Sequence, residues 1–247
     1  MTPLDALALL AAGLAAGVVN TVAGSGSLIT FPALLALGFP PVVANVSNTV
    51  GLAAGSVSGA LGYRAELRAQ RGRLLPLCTA AVLGSLTGVL LLLRLPPGAF
   101  KAIVPFLVLT AVLLMAVQPW LARWTAARQI RVTGVLPVLV YAVSVYGGYF
   151  GAAQGVLLIA LLGCLLSEDL QHLNGLKNLL QAVVNVVAAL LYATTAHVAW
   201  TAALLLAAGS IAGGRLGASF GRRLPAAVLR WSIITIGSIV GLTLALT

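Results

Sequence analysis

The feature that most limits this chain is a succession of apolar stretches of about 18 to 25 residues, each long enough to cross a hydrocarbon layer roughly 30 Å thick. They fall at about 4–22, 42–63, 74–93, 101–118, 133–150, 170–193, 199–221 and 227–246. Little remains between them to dissolve a globular surface. Of the 247 residues, 7% are charged and 61% hydrophobic, whereas soluble domains carry about a quarter charged residues. Mean hydropathy is +1.10. The class that follows is all-α, a polytopic helical membrane protein, because an open sheet leaves its backbone unpaired in lipid. No basic stretch precedes the first run, which is longer than a signal-peptide core, so it reads as a retained span.

The formal net charge of +10 resides in arginines spread over short loops. That pattern fits the bias of loops that stay on the cytoplasmic side, not a soluble surface gripping phosphates, so no nucleic-acid partner is expected. Cys78 and Cys164 stand far apart in apolar surroundings. They offer no CxxC pair and no metal cluster, and no Ser/His/Asp arrangement accompanies them. An enzyme, a metal site and a cofactor are therefore not expected.

Sliding the sequence against itself by 129 residues aligns Gly26 with Gly155, Asn45 with Asn174, Tyr63 with Tyr192 and Leu95-Pro96 with Leu224-Pro225. Several Ala, Leu and Val matches keep the same register, and one gap of four residues is needed where GSLTG meets GSIAG. The expectation is one membrane domain over 1–247 made of two homologous halves: a first repeat at 1–118, a basic connecting loop at 119–132 and a second repeat at 133–247. Two shorter apolar segments, 26–39 and 155–167, follow the glycine-rich turns AGSG and GAAQG. They read as re-entrant or broken-helix elements added to eight long transmembrane helices.

Arginines cluster in 64–73, 119–133 and 222–230. If the short segments only re-enter, the third cluster lies opposite the other two. If they cross, each half has five crossings and all three clusters share one side. The second arrangement, inverted repeats, is the expectation, with a parallel duplication as its competitor. Inverted halves bring their substrate site to the midplane between them.

The second half carries a polar stripe inside an apolar run. On a helix, Asn174, Asn178, Gln181 and Asn185 fall within about 60° of one another, with Lys177 at the edge. The 129 offset maps these onto Asn45, Thr49, Leu52 and Ser56, and Lys177 onto Asn48. A lysine in a span costs roughly 3 kcal/mol or more and marks a functional site by default; a bound anion would offset that cost. The competing reading is a lysine that snorkels, or one that pairs with Glu168 or Asp169 at the start of its helix. For the amides the alternative is helix-to-helix hydrogen bonding. Gly24 to Ser27 and Ala152 to Val156, with Ser25, Gly26, Gln154 and Gly155 among them, are candidates for an anion cradle at two half-helix N-termini, with close helix packing as the alternative. Asn20, just before the first turn, is placed to orient that loop.

The stretches NTVAGSGSLITFPALLALGFPPVVANVSNTVGLAAG, FGAAQGVLLIALLGCLLSEDLQHLNGLKNLLQAVVNVVAALLYATTAHVAW and GSIAGGRLGASFGRRLPAAVLRW resemble the sulfite exporter TauE/SafE family of prokaryotic membrane proteins, also called the four-toluene sulfonate uptake family. The family's first motif is matched at Gly24, Gly26, Pro32, Ala44, Ser47 and Asn48. A second, in one branch, is matched at Glu168, Asp169, Asn174 and Lys177. Ser25 and residues 152–154 depart from the usual glycine pattern. The resemblance implies a secondary transporter of small anions such as sulfite, sulfonates, sulfoacetate or related organic acids, across the inner cell membrane. The expected substrate-binding residues are Asn20, Gly24, Ser25, Gly26, Asn45, Asn48, Thr49, Gln154, Gly155, Asn174, Lys177, Asn178 and Gln181. The expected partners are a small anionic substrate and the lipid bilayer, with a homo-oligomer left open. The alternatives are an anion channel, and a membrane assembly or sensor subunit that transports nothing.

Overall fold

The computed structural model describes residues 1–127 and 133–220, together with Ile234, Thr235, Ser238 and Leu242. It is all-helical among these residues. In chain order the helices are α1 (Pro3–Ala23), α2 (Ser27–Ala36), α3 (Pro41–Leu61), α4 (Arg64–Arg68), α5 (Arg71–Arg94), α6 (Pro97–Ala127), α7 (Leu136–Tyr149), α8 (Gln154–Leu165), α9 (Leu170–Thr195) and α10 (Trp200–Phe220). A short 3-10 turn, Thr133–Val135, leads into α7.

Local chemistry explains the boundaries. Thr2 and Asp5 form a reciprocal capping box at the start of α1, with Pro3 at the first helical position. Gly24 stops the same helix at φ 77, a conformation costly for any side-chain-bearing residue. Pro40 and Pro41 open α3, and Asp169 caps α9 through the N–H groups of Gln171 and His172.

Five described helices are long and apolar enough to cross a membrane: α1, α5, α6, α9 and α10. This departs from the eight long spans expected. The run at 42–63 does form a full-length helix, α3, but Asn45, Ser47, Asn48, Thr49 and Ser56 dilute it and are buried inside the bundle. The run at 133–150 is divided into the 3-10 turn Thr133–Val135 and the 14-residue α7, and Gly151 turns the chain just beyond it at φ 76. The run at 227–246 lies almost wholly outside the described residues. The two short segments become the 10-residue α2 and the 12-residue α8.

Glycine contacts fix the helix directions. Gly13 packs on Leu206, Gly17 on Ser210 and Gly217 on Thr21, so α1 and α10 run parallel. Gly51 meets Leu206 and Gly55 meets Ser210, so α3 shares that direction. On the other flank, Gly84 meets Ser144 and Gly88 meets Val145, making α5 and α7 parallel. The Arg73–Glu168 and Ser85–Val184 bonds align α9 with them. These two sets oppose each other. Gly175, near the start of α9, faces Tyr63 beyond the end of α3, while Ser47, near the start of α3, accepts from the Ala199 N–H beyond the end of α9.

Small residues permit this packing, since without Cβ atoms backbones approach closely enough for dispersion contacts to hold apolar helices together in lipid. One topological consequence matters for the site. Because α1 and α3 point the same way, with Gly13 and Gly51 both against Leu206, the segment containing α2 must carry the chain back between them. The segment containing α8 does the same between α7 and α9. The apolar core has two parts, and α9 contributes to both, with Leu176, Leu180 and Val184 in one and Ala188 and Tyr192 in the other.

Candidate functional site

The end of α1 presents a problem that the fold solves with a lysine. The final carbonyls of a helix have no intrahelical donor, and those of Thr21 and Val22 are buried against α9. The Lys177 ammonium donates to Thr21 O at 2.8 Å and to Val22 O at 3.3 Å. The Asn178 amide donates to Thr21 O at 3.1 Å. A cation at a helix C-terminus also complements the macrodipole. Lys177 has no exposed surface and forms no salt bridge among the described residues.

That geometry settles two expectations. Lys177 does not snorkel, and it does not pair with Glu168 or Asp169. Glu168 instead accepts from Arg73 at 2.9 Å, and Asp169 holds the His172 ring as well as capping α9. The His172 backbone N–H and then its ring keep the Asp169 carboxyl below the usual carboxylate range.

Asn20 is the hub of the surrounding network. Its Oδ1 accepts from the Gln181 amide at 2.8 Å and from the Gly26 N–H at 3.2 Å. Its Nδ2 donates to Ser56 Oγ at 3.1 Å, which also accepts from Asn185 at 2.7 Å. One side chain thus ties the end of α1 to the start of α2, to α3 and to α9. Gln181 lies within 3.4 Å of Gly24 O as well.

The two glycine turns meet at this point. The Gly155 N–H donates to Gly24 O at 3.0 Å, and a Cβ on either glycine would stand 2.3 Å from the other's Cα. Next to the crossing, Gln154 is fully buried, and neither atom of its side-chain amide has a partner. Gln181 Oε1 is buried without a partner too. Such orphans are uncommon in folded interiors, where burial without a hydrogen bond costs about 1–3 kcal/mol.

Of the residues expected from sequence, Asn20, Gly24, Gly26, Gln154, Gly155, Lys177, Asn178 and Gln181 gather around this crossing. Asn48 belongs to an adjoining shell, donating to Ser27 Oγ at 3.1 Å and accepting from the Thr30 hydroxyl. Asn45 reaches the Tyr149 carbonyl at 3.0 Å. Three residues are not drawn in. Thr49 spends its hydroxyl on the Asn45 carbonyl, Ser25 points to Met115 Sδ, and Asn174 stands half-buried one turn before Lys177, outside the network. Sequence reasoning missed Thr30, whose only signal is its position one turn into a helix that opens on the AGSG turn. The carbonyls of Thr21 and Val22 leave no trace in side-chain chemistry.

The set comprises amides, hydroxyls, backbone groups and one ammonium. It holds no nucleophile with a base, and no group of His, Cys, Asp or Glu that could bind a metal occurs among the described residues. What it offers a ligand is hydrogen bonds and one basic side chain.

Residues 9–244 match the family described as sulfite exporter TauE/SafE. A probable membrane transporter protein of Haemophilus influenzae is 28% identical over 218 residues, covering 87% of this chain and 85% of that protein. The probable membrane transporter protein YfcA of Escherichia coli is 30% identical over 206 residues, covering 82% and 75% respectively. A probable membrane transporter protein, ORF9, of a Sinorhizobium species is 26% identical over 212 residues, covering 86% and 81%. No solved structure matches the chain.

Proposed function

Because this chain belongs to the sulfite exporter TauE/SafE family, a family of transporters and not of enzymes, we propose that it carries a small anion across the cytoplasmic membrane of a prokaryote. The substrate class is a sulfur-containing or organic oxyanion such as sulfite, a sulfonate, sulfoacetate or a related carboxylate. The mechanism is alternating access, with the anion held at the Gly24–Gly155 crossing between two repeats.

Lys177 carries this reading. An ammonium has three N–H donors, and two of them face the Thr21 and Val22 carbonyls. The third is left for a ligand. A buried charge facing only neutral carbonyls costs several kcal/mol, and an oxyanion offsets that cost. The unpartnered Gln154 amide supplies a further donor, and its carbonyl accepts from a protonated or hydrated anion. The amides of Asn178, Gln181 and Asn20 already serve protein acceptors, so the present arrangement is read as a closed state in which these three donors are taken by the protein.

Inverted repeats account for the architecture. Exchanging the halves turns the parallel α1–α10 pair into the parallel α7–α5 pair, and the α3–α10 pair into α9–α5. The hydrogen bond from Asn185 to Ser56 joins residues 129 positions apart, the offset of the sequence repeat. A residue that touches its own counterpart lies on the axis relating the halves. A two-fold axis in the membrane plane reverses helix direction, whereas one along the normal preserves it; α3 and α9 are antiparallel, which favours the in-plane axis. The ends of α3 and α10 and the starts of α5 and α7 then share one face. The arginines of 64–73 lie there, and the positive-inside bias assigns that face to the cytoplasm.

The test is flux in proteoliposomes loaded with sulfite, sulfonate or small carboxylates, with Lys177→Gln beside the wild type. Saturable exchange of one anion class, lost in the variant, is expected. Flux that never saturates would make the protein a channel. No flux of any anion by a folded, reconstituted protein would overturn the transporter reading in favour of an assembly or sensor subunit.

A further inference from the structure

The side-chain amide of Gln181 has its two ends in unlike surroundings, and the chain around it dictates which end is which. The Ser56 hydroxyl gives its proton to the Leu52 carbonyl at 2.9 Å, so its oxygen accepts from Asn20 Nδ2 and Asn185 Nδ2. The other end of the Asn20 amide faces the Gly26 N–H, a backbone donor that cannot reverse its role. Both contacts hold Asn20 with Oδ1 toward Gln181. The Gln181 nitrogen then donates to that oxygen at 2.8 Å and lies 3.4 Å from Gly24 O; turning the amide over would set oxygen against two acceptors. What remains is Gln181 Oε1. It is buried, no donor among the described residues reaches it, and a Cβ on Gly155 would stand 3.0 Å from it, so it points at the Gly24–Gly155 crossing.

A buried acceptor discriminates where a donor does not. Lys177, one turn before Gln181 on the same face of α9, offers N–H groups that any oxyanion accepts. Gln154, unpartnered on both atoms, is free to turn its nitrogen toward the same ligand. Gln181 Oε1 has only lone pairs, so it repels an oxyanion oxygen and is completed by an O–H or N–H. Charge sets a second limit. Along the helices that supply the crossing, α1, α2, α3, α8 and α9, the Asp, Glu, His, Lys and Arg residues are Asp5, His172 and Lys177. Asp5 lies in the capping box at the far end of α1, and His172 is held by Asp169 at the start of α9. Lys177 alone remains, so the site compensates at most one negative charge, and a second would be buried without a counter-charge. We infer that the site takes a singly charged oxyanion bearing a hydrogen-bond donor of its own, and that Gln181 Oε1 is the group that reads the donor. The inference rests on the crossing being the anion site and narrows its substrate class. Hydrogensulfite and hydroxy-substituted sulfonates or carboxylates meet both conditions, whereas a dianion such as sulfoacetate does not.

The experiment is a titration of the full chain in detergent, followed by thermal unfolding, in which a ligand of the native state raises the unfolding temperature. Isethionate carries one sulfonate and one hydroxyl, ethanesulfonate one sulfonate and no donor, and ethanedisulfonate two sulfonates, all on the same carbon skeleton and with fixed charge. Hydrogensulfite in mildly acidic buffer, set against methanesulfonate, repeats the comparison with smaller ions. Isethionate or hydrogensulfite is expected to bind about tenfold more tightly than its donor-free counterpart, the effect of pairing one buried acceptor, and ethanedisulfonate to give no shift. Gln181→Met is expected to erase that ratio by lowering the donor-bearing ligand to the level of the other. Gln154→Met, which gives up no hydrogen bond among the described residues, is expected to fold as the wild type does and to weaken both kinds alike, keeping the ratio. Equal affinities in the wild type, which need no variant to be measured, or a shift with ethanedisulfonate would overturn the inference and leave the anion site standing. A ratio kept in Gln181→Met, or lost in Gln154→Met instead, would overturn the role of Gln181. A shift with none of the probes would overturn the anion-site reading and this inference together.

Discussion

Gly24 and Gly155 meet backbone to backbone: the Gly155 N–H donates to the Gly24 carbonyl at 3.0 Å, and neither position has space for a Cβ, which would stand 2.3 Å from the opposite Cα. The two broken helices cannot separate their chains by even one methyl without moving the turns that carry Gln154 and Asn20. Gly155→Ala is therefore expected to lower stability by about 1–3 kcal/mol, the usual cost of overpacking, and to abolish flux. Gly38→Ala is the control. Gly38 is left-handed, at φ 83, as Gly155 is not, but has nothing within 4 Å of the added atom, so it bears a conformational cost without a clash, about 1–2 kcal/mol, and keeps its activity. Thermal unfolding in detergent and flux from the same preparations check both. Equal losses in the two variants would mean that the crossing itself is not critical.

Substitution of Lys177 tests stability and function separately. Lys177→Met removes a fully buried charge and keeps most of the side-chain volume. The Thr21 carbonyl retains the Asn178 amide as donor; the Val22 carbonyl loses its donor, a penalty of about 1–3 kcal/mol. Removing a desolvated ammonium offsets that, and replacing buried charges by apolar groups is often neutral or stabilising. The variant is expected to unfold within about 2 kcal/mol of the wild type and to transport nothing. A variant that transports normally would show that the lysine only caps α1.

Much of this site is legible in the chain, for a physical reason. Lys177, Asn178, Gln181 and Asn185 are polar in a run otherwise suited to lipid, and helical periodicity alone puts them on one face. Which partners Lys177 and Asn178 take is not legible, because those partners are backbone carbonyls at the end of a helix some 157 residues earlier. Asn174 satisfies the same periodicity but lies one turn too early to reach the crossing. The spans show the same limit. Run length places α1, α3, α5, α6, α9 and α10, whereas the Asn, Ser and Thr residues buried along α3 keep it out of the set apolar enough to cross. Its face is polar because it is buried against other helices, which a hydropathy average cannot distinguish from a loop.

The hub role of Asn20 makes a coupling prediction. Asn20 exchanges bonds with Gln181, Gly26 and Ser56, each worth about 0.5–1.5 kcal/mol net. Asn20→Ala is expected to cost about 2–4 kcal/mol, and Gln181→Ala less. The double variant is expected to be less destabilised than the sum by at least about 0.5 kcal/mol, as for residues in one network. Strict additivity in the double-mutant cycle would place the two amides in independent environments.

Topology follows from helix direction and is open to a chemical test. The starts of α1 and α3 lie together, since Gly13 and Gly51 both contact Leu206, so the α2 segment adds a crossing, and the α8 segment adds another. With them, the turn at Ala69, between α4 and α5, sits on the basic face, and the turn at His197, between α9 and α10, on the opposite one. Both positions are exposed. After Cys78 and Cys164 are replaced by alanine, a cysteine at His197 is expected to react with a membrane-impermeant maleimide added to intact cells. A cysteine at Ala69 is expected to react only once the membrane is opened. The same labelling pattern at both sites would remove one crossing. The halves would then be related as a parallel duplication, and a site built at an in-plane axis through Ser56 and Asn185 would be lost with the inverted arrangement.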